Sequence, residues 1–269
     1  MTKTLAIVVR SLKSRRISLL VYIGVALALN WIYVALFPTF QDQAEQLTEI
    51  YNTLPESFFA AFGAPDLAFS SLEGFMATEN FGLVWPLLVI LIVAGLAGAS
   101  LAGEIEKGTI ELTLSRPVSR TQYFFSKYLT TLLVVIIFSA VSILSVPLFA
   151  QMYDVPFAFN SYAVLAGAGA LFGWAITGIA FLFAALFSER GKVFFATGGI
   201  LFVMYIGNVI AMLVDAFEPI KYGSLFYYFN AAILTDGSIA GSSITVLCLV
   251  AVVPTFFAAR IWQRRDISV

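Results

Sequence analysis

Six apolar runs, each about as long as a bilayer is thick, leave this chain few folds to choose from. They lie at 17–37, 81–102, 128–150, 161–187, 193–214 and 242–262. A hydrocarbon core of roughly 30 Å needs about 20 consecutive apolar residues in a helix that crosses it. The alternating apolar and polar pattern of a membrane β-barrel is absent, so the runs predict helices. The expected fold is an all-α integral membrane protein with six transmembrane helices in a single membrane domain, 1–269. Its 60% hydrophobic content stands well above the roughly 45–50% of soluble domains. The first run is too long for the h-region of a cleavable signal peptide, and no small-residue cleavage site follows, so it is expected to remain as a span. Cys248, the single cysteine, falls in the last run, and histidine is absent. Neither a disulfide framework nor a metal cluster is expected.

Charge orients the spans. Fourteen of the 15 Lys and Arg residues fall in 1–16, 103–127, 188–192 and 260–265, and Lys221 alone falls on the other side. The acidic residues run the opposite way, with eleven in 38–80, 151–160 and 215–241 against five on the basic side. Basic flanks mark the cytoplasm. Both termini and the 103–127 loop are therefore expected to be cytoplasmic, and 38–80 and 215–241 extracytoplasmic.

The segments between spans carry patterns of their own. In 2–16, Leu5, Val8, Val9 and Leu12 recur at helical spacing, with Lys3, Arg10 and Lys13 off that stripe. This predicts an amphipathic helix in the headgroup plane; the alternative is a basic tail that only sets topology. In 38–80, Thr53 to Glu56 matches a capping box ahead of Phe58, Phe59 and Phe62, with Gly63 and Pro65 as a stop. Ser70 to Glu73 is expected to cap a further helix leading into the second span. The 215–241 segment reads as a short re-entrant or interfacial helix. Pro86 and Pro147 predict kinks in the second and third spans. Gly169 and Gly173 form a G-x-x-x-G in the fourth span, suited to helix packing within the chain or to a dimer contact.

Several activities are excluded by missing residues. The only Gly-Lys pair, Gly191-Lys192, is followed by Val193 and lacks the first glycine of a phosphate loop. An intramembrane metalloprotease needs histidine. The six runs hold no Asp, Glu, Lys or His, which disfavours a proton-coupled carrier. The chain reads as a non-enzymatic membrane part driven by something else, with no cofactor or metal of its own and nothing that points to nucleic acid.

One stretch resists that bland reading. Residues 102–129, "AGEIEKGTIELTLSRPVSRTQYFFSKYL", place seven charges between two apolar runs. Glu104 to Leu114 is expected to form a short helix with Glu104, Gly108 and Glu111 on one side. Pro117 breaks it, and Ser119 with Gln122 forms a capping box that opens the third span. A solvated loop and a surface that receives a push from a cytoplasmic partner are both compatible with this pattern.

The same stretch resembles the signature segment of type-2 ABC exporter permeases, approximately G-E-x-E-x-G-T-x-E-x-L-L-S-x-P-x-S-R-x-x-x-x-x-x-K. Gly103, Glu104, Glu106, Gly108, Thr109, Glu111, Leu114, Ser115, Pro117, Ser119, Arg120 and Lys127 match it, and Thr113 stands where leucine is usual. In style the chain is similar to the six-span permeases of bacitracin export and nitrous-oxide-reductase maturation, including "SLFYYFNAAILTDG" before the last span and a terminal "RRDI". The resemblance implies a prokaryotic plasma (inner) membrane protein whose 103–127 loop holds a coupling helix. That helix docks on a separate ABC ATPase, through Glu104, Glu106, Gly108, Thr109, Glu111, Arg116, Pro117 and Arg120. It further implies two ATPase copies that bind ATP and Mg, and a second permease chain, as a homodimer or a sister permease, in membrane lipid. Two other readings stand beside it: an ATPase-driven signalling or anchor subunit that moves no substrate, and an ion-coupled secondary transporter.

Overall fold

The computed structural model describes residues 3–42, 71–110, 118–230 and 232–266. Helix α1 spans Lys3–Asp42, α2 Leu72–Met76, and a π-helical turn Ala77–Phe81 follows directly. Then come α3 (Val84–Ser100), α4 (Ala102–Glu106), α5 (Arg120–Met152), α6 (Phe159–Leu186) and α7 (Arg190–Leu213). A 3₁₀ helix (Asp215–Gly223), α8 (Leu225–Tyr228), α9 (Ala232–Asp236) and α10 (Gly241–Arg264) complete the described chain. Five helices are each long and apolar enough to cross a membrane, and the pair Leu72–Phe81 and Val84–Ser100, bent by 42°, makes a sixth when taken as one span. The chain is an all-α integral membrane protein.

Three expectations are revised. The break expected between 2–16 and the first span is not there, because α1 runs unbroken through both. Arg15 lies within electrostatic reach of Glu104 and Arg190 at one end, and Phe37 meets Phe75 at the other. The helix before Arg15 therefore continues about 18 Å past that end at 1.5 Å per residue. The second span is broken ahead of Pro86, at Gly82–Leu83. Pro86 has no N–H for the Gly82 carbonyl and its ring crowds that turn, so a new helix begins instead of a kinked one continuing. The cap of α2 falls on Ser71, whose hydroxyl accepts from the Gly74 amide at 3.2 Å. Glu73 instead reaches across to the start of α6, where its Oε1 accepts from the Ala158 amide at 2.7 Å. The Thr53–Pro65 pattern lies outside the described residues.

Helices α3, α5 and α6 form the centre, with α1 against α5, α10 against α6 and α7 against α3. Small residues set the closest approaches. A Cβ on Gly178 would sit 2.6 Å from the Ala251 carbonyl and 3.0 Å from that of Val250, so α6 and α10 touch backbone to backbone. Pro254 leaves the Val250 carbonyl without its helical donor, and the bare Gly178 gives it room. Gly169 and Gly173 are both taken up inside the chain, Gly169 against Trp85 and Ile143 and Gly173 against Val135 and Val89.

A buried polar knot ties four elements in the span region. The Asn30 amide of α1 donates to the Ser142 carbonyl (2.6 Å) and to Ser145 Oγ (2.9 Å) on α5. Its carbonyl accepts from Asn80 Nδ2 at 2.7 Å, in the π-turn. Trp85 Nε1 of α3 donates to Ser142 Oγ at 2.9 Å. Such groups are tolerated in an apolar span only when satisfied within the protein. The 215–241 segment also differs from a single interfacial helix. Its 3₁₀ turn buries nothing, while Leu225, Phe226, Phe229, Ile233 and Leu234 of the α8–α9 portion are buried.

Candidate functional site

The Lys- and Arg-rich segments converge at one end of the bundle, around the root of the 103–127 loop. Helix α4 continues α3 after a short irregularity at Leu101 and stops within two turns. Gly108 takes φ +66°, the left-handed region that glycine enters freely. The Gly108 amide donates to the Ile105 carbonyl at 2.9 Å and the Thr109 amide to the Glu104 carbonyl at 3.0 Å. This pair of bonds is the Schellman stop, with glycine just past the helix end. The single helix expected from Glu104 to Leu114 is therefore interrupted at Lys107–Thr109. Glu111, Arg116 and Pro117 lie outside the described residues.

The two acids of α4 are engaged within the chain. Glu104 Oε1 pairs with Lys127 Nζ at 2.6 Å, and its other oxygen accepts from the Tyr123 hydroxyl. Both donors belong to α5, one turn apart, so this carboxylate fastens the loop root to the third long helix. The Lys127 ammonium also lies 5.2 Å from the Tyr123 ring centre. Arg15 of α1 adds a further positive charge within reach. Glu106 does a different job: its Oε2 accepts from the Arg190 amide at 2.9 Å. Arg190 is the first residue of α7, whose own N-cap, Glu189, makes no side-chain cap bond. A carboxylate there satisfies an orphan N–H and complements the positive end of the helix dipole.

Glycine makes that junction possible. A Cβ on Gly98 would lie 3.0 Å from the Arg190 carbonyl, and one on Gly103 would lie 3.2 Å from the Gly98 carbonyl. Beside it, Ala99, Gly103, Glu106, Lys107, Arg190, Gly191 and Phe194 line a cavity of about 610 Å³. Lys107 and Glu106 are exposed at its rim.

The far edge of the loop is fixed by a second set of contacts. Ser119 caps α5 as the S-x-x-Q spacing predicts, with Gln122 N to Ser119 Oγ at 3.1 Å and Ser119 N to Gln122 Oε1 at 3.2 Å. Arg120 donates to the Arg265 carbonyl, and Trp262 Nε1 returns a bond to the Arg120 carbonyl at 3.2 Å. The Arg265 guanidinium spans the end of α6, donating to the carbonyls of Ala185 (2.8 Å) and Phe187 (3.0 Å) and to Ser188 Oγ (2.6 Å). Partial burial lowers the pKa of that guanidinium from its ordinary value. It is also a cation at a helix C-terminus, where the dipole favours it. Tyr123 stacks on Trp262 with ring centres 6.1 Å apart, closing the ring from loop root to loop exit.

Of the residues expected to dock a partner, the structure brings Glu104, Glu106, Gly108, Thr109 and Arg120 to this one end. Glu104 and Arg120 point into the chain, and Gly169 and Gly173 lie away from the site. Tyr123 of the loop, and Arg190, Trp262 and Arg265 from outside it, also build the site. Among the described residues no group of three or more His, Cys, Asp or Glu could hold a metal ion. A family model described as "ABC-2 family transporter protein" matches residues 8–267. No curated protein matches the chain.

Proposed function

Because the chain belongs to the ABC-2 family of transporter proteins, a family of non-catalytic membrane permeases that work with ATPase subunits, we propose that it is the permease of an ATP-driven exporter. ATP and Mg are held by a separate ATPase in two copies, and a second permease chain, identical or a sister, completes the assembly. The 103–127 loop receives the ATPase stroke. The termini and this loop are cytoplasmic in a prokaryotic inner membrane, as the fourteen-to-one distribution of Lys and Arg favours. Within the family, the loop's signature favours the bacitracin and nitrous-oxide-maturation style.

The observation that carries this reading is the fastening of α4. Glu104 joins it to α5 and Glu106 joins it to α7, so displacement of the Lys107–Thr109 turn is passed to two long helices at once. A loop that only linked spans would need neither bond. With Glu104 and Arg120 engaged internally, contact with the ATPase falls on exposed Lys107, on the Gly108–Thr109 turn and on Glu111 to Pro117.

Reconstitution of the permease with its ATPase in liposomes tests the proposal. Export predicts ATP hydrolysis stimulated by a transported substrate. Hydrolysis indifferent to every exported compound favours the signalling or anchor reading, and transport in vesicles without ATP favours an ion-coupled carrier.

A further inference from the structure

At the same end of the bundle, α10 carries an outward face that the coupling account leaves unused. Leu249, Val253, Phe256 and Phe257 are between 48% and 55% exposed and fall on one side of the helix. One and two turns further on, that side continues into Arg260 and Arg264, both exposed. The arginines border a groove of about 410 Å³, which Ala185, Leu186, Ile261 and Arg265 complete. Arg265 is spent on the α6 carbonyls, whereas neither Arg260 nor Arg264 has an acidic partner among the described residues. Glu189, the acid of the adjoining loop, is paired with Lys192. The Arg260 guanidinium lies 5.3 Å from the Phe256 ring centre, which draws it towards the apolar face.

We propose that this groove binds an anionic phospholipid of the adjoining leaflet. Its phosphodiester is held between Arg260 and Arg264 and its acyl chains lie along Leu249 to Phe257. A strip of apolar surface that ends in two forked cations at the depth where a span meets headgroups matches a lipid along its whole length. A second copy of the chain fits this face less well. A two-fold contact between parallel copies brings the same residues opposite each other, so the guanidiniums would meet like charge. The occupant is a lipid and not a soluble phosphate, because the groove floor is apolar and continuous with the span.

Native mass spectrometry of the full chain, released from nanodiscs holding phosphatidylglycerol and phosphatidylethanolamine, tests this. The wild-type chain should retain phosphatidylglycerol preferentially. R260Q/R264Q should lose about thirtyfold of that preference, the scale expected for removing two basic residues. R260K/R264K should keep most of it, and R10Q should keep all of it. A photoactivatable phosphatidylglycerol on the wild-type chain gives a readout independent of any variant, with adducts expected within 249–264. Adducts confined to other segments, equal retention by R260Q/R264Q, or displacement of the lipid by inorganic phosphate would each overturn the proposal.

Discussion

Lys127 Nζ and Glu104 Oε1 lie 2.6 Å apart, with their side chains 15% and 23% exposed. The signature segment therefore contains its own lock: an acid near its start is neutralised by a lysine near its end, across the intervening loop. Removing one partner leaves the other half-buried and unpaired, which is worse than never having the pair. We expect Glu104→Lys to lower stability by about 1.5–3 kcal/mol, the range for a hydrogen bond to a charged group. Thermal unfolding of the detergent-solubilised chain should show the loss without any partner present. Lys107→Glu, three residues on and exposed, should change stability by no more than about 0.5 kcal/mol.

The crossing of α6 and α10 should depend on one glycine. Gly178→Ala forces a methyl against the Ala251 backbone, and overpacking of this kind costs about 1–3 kcal/mol. Gly167→Ala, on the same helix with nothing within 4 Å of the new Cβ, should be nearly neutral. Equal midpoints for the two variants would contradict the close contact.

The buried knot at Asn30 predicts a polar, not a steric, requirement. Asn30→Leu strands the Asn80 amide and should cost about 1–2 kcal/mol, in line with interhelical hydrogen bonds in membranes. The double variant Asn30→Leu with Asn80→Leu should recover part of the loss, since removing both partners leaves less unsatisfied. Hydrogen exchange of residues 77–87 would report the loosening directly.

Orientation is open to cysteine labelling. In a Cys248→Ser background, a cysteine at exposed Asp154 should react with an impermeant thiol reagent in intact cells. One at exposed Lys192 should react only after lysis. The reverse pattern would invert the topology and remove the cytoplasmic loop from reach of any ATPase.

The spans were readable because a bilayer demands about 20 apolar residues in a row and little else produces that run. The capping box at Ser119 and Gln122 was readable because its bonds are local. The α4 stop was written in the sequence too, as Gly108 in Lys-Gly-Thr. The helical spacing of Glu104, Gly108 and Glu111 masks it, because that spacing also suits one face of a longer helix. The inward turn of Glu104 was not readable, since its partners on α5 lie 19 and 23 residues away. The same holds for Glu106 and Arg190, 84 residues apart, and for Arg120 and Arg265, 145 apart. The Asn30 knot is not legible in sequence, because a lone asparagine in a long apolar helix has no periodic signature.

Docking of the 103–127 loop on an ATPase is tested by retention of that ATPase through purification by loop variants that leave the fold intact. Lys107→Glu and Glu111→Lys reverse charges at the turn and four residues on in sequence, and leave Glu104 and Glu106 in place. Glu218→Lys, in the exposed 3₁₀ turn at the opposite end, controls for charge reversal as such. The two loop variants should reach the membrane with wild-type unfolding midpoints, lose the ATPase and lose ATP-driven transport, while Glu218→Lys keeps both. Loop variants that retain the ATPase and full transport would contradict docking through this loop.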